Sequence, residues 1–248
     1  MNAALKNLYC LSEASLEILA KVSTALNFWY FCFKTKVQRG KINNELKNCL
    51  IEKCMNKPVF TNQSKSQICT KLQQAFPKNL ANDVQKVADF VIDNDFSIHP
   101  NLVQEVIIKA EKLLIPSRIY DDNPPTAIGG LTNTQQTILN CLYLRHYNGF
   151  VRQKYLEKLI QNTQDYFVIP YIFQLLGEYV VEILAVVSEH INEKTIAHYQ
   201  QFIAENPKYA QQTQSRMTSY WDAYYRTQSP DLKHYIGYKI FKTLKTKS

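Results

Sequence analysis

Residues 167–187 form the most apolar stretch of the chain, and the few polar residues within it restrict what the chain can fold into. A helix that is apolar nearly all round is either a membrane span or the buried centre of a globular protein. Glu178 and Glu182 lie four residues apart in this stretch, and two carboxylates in mid-segment are costly in lipid. The sequence therefore predicts a central helix at 167–190 that is buried in protein, with both carboxylates facing protein rather than solvent.

Helical periodicity recurs along the rest of the chain, which contains only 6 glycines. Because sheet-rich folds use glycine in their turns, this scarcity favours an all-α fold. We expect an irregular helical array or bundle of about ten helices joined by short connections. Besides the central helix, the predicted helices include residues 12–33, 44–55, 64–76, 80–92, 100–114, 194–204, 207–226 and 232–244, and one that Thr132 or Thr134 caps and that ends near His146.

Residues 115–132, IPSRIYDDNPPTAIGGLT, interrupt this pattern with 3 of the 9 prolines and 2 of the 6 glycines. Such a composition predicts a loop. The loop separates an N-terminal helical region, 1–114, from a C-terminal helical region, 133–248, which is built on the central helix. The two regions form either two domains or one continuous domain. Because long loops in compact proteins are often functional, this loop is a candidate location for a site.

Three motifs lie in the C-terminal region: YLRHYNGFVRQKYLEKL from Tyr143, PYIFQLLGEYVVEI from Pro170 and SYWDAYYR from Ser219. The turn at Asn148 and Gly149, followed by VRQKYLEKL, resembles the start of the second helix of a HEAT repeat. That resemblance implies a HEAT-like arrangement around 142–191. Together the motifs resemble an uncharacterised group of bacterial all-helical proteins. This second resemblance implies a bacterial origin and a helical fold, and it supplies no activity.

The two central carboxylates have possible partners in Arg145, His146 and Arg152, which lie on helices predicted to pack nearby. Buried carboxylates close together can act as an acid and a base, because burial and repulsion separate their pKa values. Arginines can equally neutralise them in a structural network, and we expect the network. The histidines have no metal-ligand spacing, so we expect neither a metal nor a cofactor.

Positive charge is concentrated in two blocks of a chain whose formal net charge is +8. Residues 34–57 contain 7 Lys or Arg against 2 Asp or Glu, and residues 193–248 contain 9 against 4. In the second block, aromatic and basic residues alternate in a way that suits stacking on bases and contact with phosphates. We expect instead that the aromatic rings pack onto the core. The residues of this candidate binding surface are Arg216, Tyr220, Trp221, Tyr224, Arg226 and Lys239.

The 6 cysteines include no pair with the two-residue gap of a zinc or redox motif, and the first residues do not resemble a signal peptide. We therefore expect reduced thiols and a cytoplasmic protein.

Three functions remain open from the sequence. The preferred one is a non-enzymatic protein-interaction scaffold, because stacked helices present extended surfaces and no catalytic motif is present. The first alternative is a nucleic-acid-binding protein that uses the basic blocks 34–57 and 193–248. The second is an enzyme with a site near the loop 115–132 and Glu178 and Glu182. The sequence leaves the oligomeric state open.

Overall fold

Helices account for most of the residues that the structure describes. This structure is a computed structural model, and it describes residues 63–92, 96–100, 102–125, 129–163 and 165–245. The predicted helices 12–33 and 44–55 and the basic block 34–57 lie outside these residues. The described ranges contain nine α-helices: α1 (Lys65–Ala75), α2 (Ala81–Val91), α3 (Asn133–Tyr143), α4 (Gly149–Asn162), α5 (Ile169–Leu175), α6 (Val181–His190), α7 (Ile196–Glu205), α8 (Pro207–Tyr220) and α9 (Ile236–Lys245).

Side-chain caps fix the starts of several helices. Ser64 accepts a hydrogen bond from the Gln67 N–H, and the Gln67 side chain accepts one from the Ser64 N–H, so α1 begins with a capping box. Thr132 and Gln135 make the same reciprocal pair at the start of α3. Asn148 caps α4 by accepting from the Phe150 N–H. These caps are local sequence signals, and the predicted helix starts at 64 and 132 are confirmed.

Residues 103–114, within the segment 100–114 predicted as a helix, instead form most of a β-hairpin. Strand β2 (Val103–Ile108) pairs antiparallel with β3 (Glu111–Pro116). The hairpin buries Val106, Ile108, Leu113 and Ile115 on one face, which is the alternation of a half-buried strand. The prediction was wrong because the turn residues Lys109 and Ala110 adopt positive φ angles of 47° and 66° without the usual Asn or Gly. The fold is therefore mostly helical and not purely all-α.

A second antiparallel pair has one of its two strands inside the segment predicted as a loop. Strand β1 (Ser97–Ile98) pairs with β4 (Ile119–Tyr120). The Ile119 N–H donates to the Arg145 carbonyl at 2.9 Å, and the Tyr147 N–H donates to the Ile119 carbonyl at 3.1 Å. Residues 115–132 thus include the end of β3 and all of β4, and they bond directly to the turn after α3. Residues 60–248 form one compact unit.

The central apolar segment forms two helices rather than the one predicted at 167–190. α5 ends at Leu175 and α6 begins at Val181, with a turn between them. Gly177 lies in this turn, and a Cβ added there would be 3.1 Å from Thr213 Cγ2 of α8, so the turn packs closely against that helix. All seven residues of α5 are buried, which confirms the predicted burial of this segment. None of the helices in the described ranges has the length and apolar character needed to cross a membrane.

Candidate functional site

Glu178 lies in the turn between α5 and α6 and is 6% exposed. Three arginines surround its carboxylate. Arg118 Nη2 is 3.1 Å from Oε1, Arg152 Nη2 is 2.7 Å from Oε2, and Arg145 Nη2 is 3.8 Å from Oε1. We call these four side chains the arginine cluster. Glu178 thus lies in a buried polar network with Arg145 and Arg152.

Three different parts of the chain place the arginines. Arg145 follows α3, Arg152 lies in the first turn of α4, and Arg118 lies between β3 and β4. Sequence reasoning missed Arg118 because it placed this residue in an irregular loop. The pairing of β4 with β1, together with the bonds from Ile119 to the turn after α3, brings Arg118 to Glu178. No local pattern in the sequence signals that contact.

Backbone carbonyls bind part of each guanidinium. Arg152 Nη1 donates to the carbonyls of His146 and Tyr147 at 2.7 and 3.0 Å. Arg118 Nη1 donates to the Ser117 carbonyl at 2.9 Å, and Arg145 Nη2 donates to the same oxygen at 3.3 Å. The Ser117 carbonyl belongs to the segment between β3 and β4, and the other two belong to the α3–α4 turn. The arginines therefore link these two segments.

The cluster keeps Glu178 ionised. Burial raises the pKa of this carboxyl, but Arg152, Arg118 and Arg145 together lower it to about 2. Burial lowers the pKa of Arg145 to about 9, with a further decrease from Arg118 and an increase from Glu178. Burial also lowers the pKa of Arg152, and Glu178 opposes this shift. A deprotonated carboxylate accepts hydrogen bonds but has no proton to donate, which removes Glu178 as a general acid near neutral pH.

His146 lies beside the cluster but does not contact Glu178 in the hydrogen-bond network. Its Nδ1 accepts from the Asn148 N–H at 3.1 Å, so the proton is on Nε2, which donates to the Asp121 carbonyl at 2.8 Å. Burial lowers the pKa of His146, and nearby Arg152 lowers it further. Both ring nitrogens therefore make hydrogen bonds to the backbone. In its neutral form, the imidazole stabilises the α3–α4 turn through these bonds.

Glu182 does not belong to the arginine cluster. It is exposed, in the first turn of α6. The prediction that it faces protein was wrong, because it assumed one continuous helix that would put Glu178 and Glu182 on the same face. Because the turn at 176–180 separates two helices, Glu178 and Glu182 do not share a helix face. Glu178 points inward from the turn, and Glu182 lies on the solvent side of α6.

The arrangement at the cluster does not match the requirements for acid–base or nucleophilic chemistry. A second buried carboxylate would be needed for the predicted acid–base alternative, and Glu182 does not supply one. Asp121 is buried, but its carboxylate accepts from the Tyr143 hydroxyl and from the Asn123 N–H at 2.9 Å. Among the residues that the structure describes, no group of three or more His, Cys, Asp or Glu side chains is arranged to hold a metal ion.

The candidate binding surface in the C-terminal region is engaged mainly in contacts within the protein. The Tyr220 and Tyr224 rings contact the Tyr179 ring, with centroids 5.5 and 6.1 Å apart. Trp221 is half-buried, and its Nε1 donates to the Ser229 carbonyl at 2.9 Å. Arg226 lies over the Trp221 ring at 5.9 Å and forms an ion pair with Asp222 at 2.8 Å.

The two other residues of this surface lie on different helices. Arg216 on α8 lies 6.0 Å from the centre of the Tyr209 ring and lines a shallow depression with Gln211, Gln212 and Ser215. Lys239 is exposed on α9. The aromatic rings thus contact neighbouring groups in the protein, and the three basic residues come from different elements: α8, the segment after it and α9.

Exposed apolar side chains occur on the β2–β3 hairpin, where sequence reasoning predicted a helix. Val103 is 50% exposed and Ile107 is 43% exposed, and both alternate with the buried residues of β2. Leu114, on the same face of β3, is half-buried. Between the apolar residues lies an exposed ion pair, with Lys112 Nζ 2.6 Å from Glu105 Oε2. We call these five residues the hairpin face.

Asn206 protects part of the outer edge of β2. Its Oδ1 accepts from the Ile107 N–H and its Nδ2 donates to the Ile107 carbonyl, both at 2.7 Å. Glu205 Oε2 accepts from the Lys109 N–H at 3.1 Å. An edge strand whose backbone groups are occupied is a poor template for a further strand. At this end of β2, the backbone groups of Ile107 and the Lys109 N–H are therefore not available to pair with a further strand.

No protein-family model matches this chain, and neither the curated proteins nor the solved structures contain a match to it.

Proposed function

We propose that this chain is a non-enzymatic protein-interaction protein that binds its partner through the hairpin face. The observation that carries this proposal is the joint exposure of Val103 and Ile107 on one side of the β2–β3 hairpin. Apolar side chains grouped on an exposed surface mark interaction sites more often than isolated ones do. The opposite face of the same hairpin is buried, which anchors the strand that carries these two side chains.

The partner that fits this face is a protein surface with two apolar contacts and polar groups between them. Val103 and Ile107 are four residues apart on a strand, so their Cα atoms are separated by about 13 Å. The Glu105–Lys112 pair lies between them and offers one acidic and one basic group. A partner with the complementary order of apolar and charged side chains would bury the two apolar residues and place opposite charges against Glu105 and Lys112 between them.

The helical part of the chain is proposed as the scaffold for this surface. α3 and α4 pack against each other around the turn at Asn148, and we propose that this pair is HEAT-like, as its motif implies. We also retain the bacterial origin that the motifs imply. A cytoplasmic location is proposed as well, supported by Cys69 and Cys141, which are free thiols.

The two alternative functions have less support. An enzyme of the predicted kind would need a base in contact with a nucleophile. The arginine cluster instead consists of one ionised carboxylate and three guanidiniums. For nucleic-acid binding, Tyr220, Trp221 and Tyr224 make ring contacts or hydrogen bonds within the protein. Stacking on bases needs exposed rings.

The test compares capture of a partner by the natural chain and by a double variant, Val103→Lys with Ile107→Lys. Proteins recovered from a cell extract are quantified for both, and the affinity of the purified partner is then measured by calorimetry. We expect the double variant to lose at least about tenfold in affinity, because two desolvated apolar contacts are replaced by charges. Both chains should fold equally well, since the substituted side chains are exposed.

Phe150→Lys is the matched control. Phe150 is 62% exposed on α4, so this substitution also replaces an exposed apolar residue with lysine, but outside the hairpin face. It should leave the affinity unchanged. The proposed function would be contradicted if the double variant and Phe150→Lys lost binding equally. It would also be contradicted if every protein captured by the natural chain were captured equally well by the double variant.

A further inference from the structure

The arginine cluster contains more positive than negative charge. Arg118, Arg145 and Arg152 surround the single carboxylate of Glu178, and the four side chains are 10%, 0%, 1% and 7% exposed. Asp121 is the other buried carboxylate in this region, but it bonds to the Tyr143 hydroxyl and the Asn123 N–H rather than to an arginine. Three guanidiniums and one carboxylate leave an excess of two positive charges. Charges buried in this way are costly unless counter-charges compensate them.

Several guanidinium donors of the cluster have no hydrogen-bond partner among the residues that the structure describes. Nε and Nη1 of Arg145 and Nε of Arg152 are buried and make no hydrogen bond. Within the described part of the chain, the Arg145 guanidinium makes its polar contacts through Nη2, at 3.3 Å to the Ser117 carbonyl and 3.8 Å to Glu178. Arginine normally uses its planar fork of donors to bind a carboxylate or phosphate in a bidentate way. Arg145 is thus a fully buried arginine whose Nε and Nη1 donors are free, in the described ranges, to bind an acceptor.

We propose that the arginine cluster binds one small inorganic oxyanion of the phosphate and sulfate class beside Glu178. A dianion matches the excess of two charges, and its oxygens supply acceptors for the unused donors of Arg145 and Arg152. Arg118 is the most exposed of the three arginines, so the ion enters past its guanidinium. The low exposure of the cluster favours a free ion over a larger phosphate ester.

Binding of this ion also explains why three arginines converge on one turn. The ion connects Arg118, from the β3–β4 connection, with Arg145 and Arg152, from the two sides of the α3–α4 turn. It therefore stabilises the contact between segments that are distant in the sequence. This role is independent of the hairpin face and does not rest on the proposed function.

The direct test is calorimetric titration of the full chain, purified in a chloride buffer, with inorganic phosphate at constant ionic strength. We expect saturable binding of one phosphate per chain. Sulfate should compete with it, and nitrate, a monoanion, should bind at least about tenfold more weakly. A phosphate monoester such as glycerol phosphate should also bind more weakly, because the side chains of the cluster are at most 10% exposed. Equal binding of the ester would contradict the buried position of the ion.

Variants separate a specific site from general attraction to a basic protein. Arg118→Gln should weaken phosphate binding at least about tenfold by removing one charge-assisted contact. Arg226→Gln is the matched control: Arg226 is an exposed arginine paired with Asp222, and its removal should leave phosphate binding unchanged. Loss of affinity in both variants, or in neither, would overturn the proposal.

Glu178→Gln provides a second test that works even when Arg118→Gln fails to fold. This substitution keeps the shape of the side chain and raises the excess charge of the cluster, so phosphate should bind more tightly. In a thermal melt, phosphate should raise the melting temperature of Glu178→Gln more than that of the natural chain, because ligand binding to the folded state stabilises it in proportion to affinity. An equal shift in the two chains, or no phosphate-dependent shift in either, would show that the cluster is purely structural.

Discussion

At the scale of single residues, Glu178 and Glu182 show how position in the chain decides the role of a side chain. Both are glutamates in the same apolar segment. Glu178 is in contact with three guanidiniums, while Glu182 is exposed at the start of α6. Removing one partner of a buried ionic network is strongly destabilising because the remaining charges stay buried without compensation.

We therefore predict that Glu178→Ala lowers the free energy of unfolding by about 3–5 kcal/mol in phosphate-free buffer. Glu182→Ala is the matched control and should leave stability unchanged, since an exposed side chain outside any network contributes little. Urea unfolding of the two variants measures both effects. Similar stabilities for the two variants would mean that the contacts of Glu178 do not stabilise the fold.

At the scale of secondary structure, the β2–β3 hairpin depends on an unusual turn. Lys109 and Ala110 both have positive φ angles, a conformation that residues with a Cβ adopt at a cost of about 1–2 kcal/mol each. Asn206 and Glu205 bond to Ile107 and Lys109 at the outer edge of the hairpin. These tertiary hydrogen bonds help to hold a turn that the local sequence does not favour.

Ala110→Gly should raise the free energy of unfolding by about 1 kcal/mol, because glycine adopts a positive φ without the steric cost of a Cβ. The control is Ala185→Gly on the exposed side of α6, where the same change should lower stability by about 1 kcal/mol through loss of helix propensity. If denaturant unfolding gives changes of opposite sign in the free energy of unfolding of the two variants, the positive φ angle at Ala110 is established. A destabilising effect at both positions would contradict it.

At the scale of the whole molecule, several buried groups connect folding to pH. Burial lowers the pKa values of His146 and His190, whose ordinary value is 6.5, and the arginine cluster lowers that of Glu178 from 4.5 to about 2. In each case the unfolded chain binds protons more readily than the folded one. The stability that each group contributes is fully present above its pKa in the unfolded chain. It is lost as the pH falls through its lower pKa in the folded chain.

The free energy of unfolding should thus decrease in two stages on acidification. The first stage begins near pH 6.5 with the histidines, and the second lies between about pH 4.5 and 2 with Glu178. Denaturant unfolding from about pH 8 to about pH 2 measures the profile. Glu178→Gln should remove the second stage and keep the first. A profile that rises on acidification, or a second stage that persists in this variant, would contradict the assignment.

The sequence by itself determined the elements whose signals are local. Ser64 with Gln67 and Thr132 with Gln135 are capping boxes that fix the starts of α1 and α3 wherever the rest of the chain lies. A nearly continuous run of apolar residues predicted the burial of the segment that became α5. The same reasoning placed Glu178, Arg145 and Arg152 together, because charged residues near an apolar segment need counter-charges when they are buried.

Only the tertiary structure decided the features that depend on contacts between distant residues. The central helix breaks at 176–180, where Glu178 meets three arginines and Gly177 packs against Thr213. The hairpin at 103–116 has a turn without Asn or Gly, and Asn206, 99 residues from Ile107, bonds to its edge. Arg118 joins the cluster through the pairing of β4. Propensity and periodicity describe neighbours in the sequence, whereas each of these features is stabilised by a partner that the local sequence does not contain.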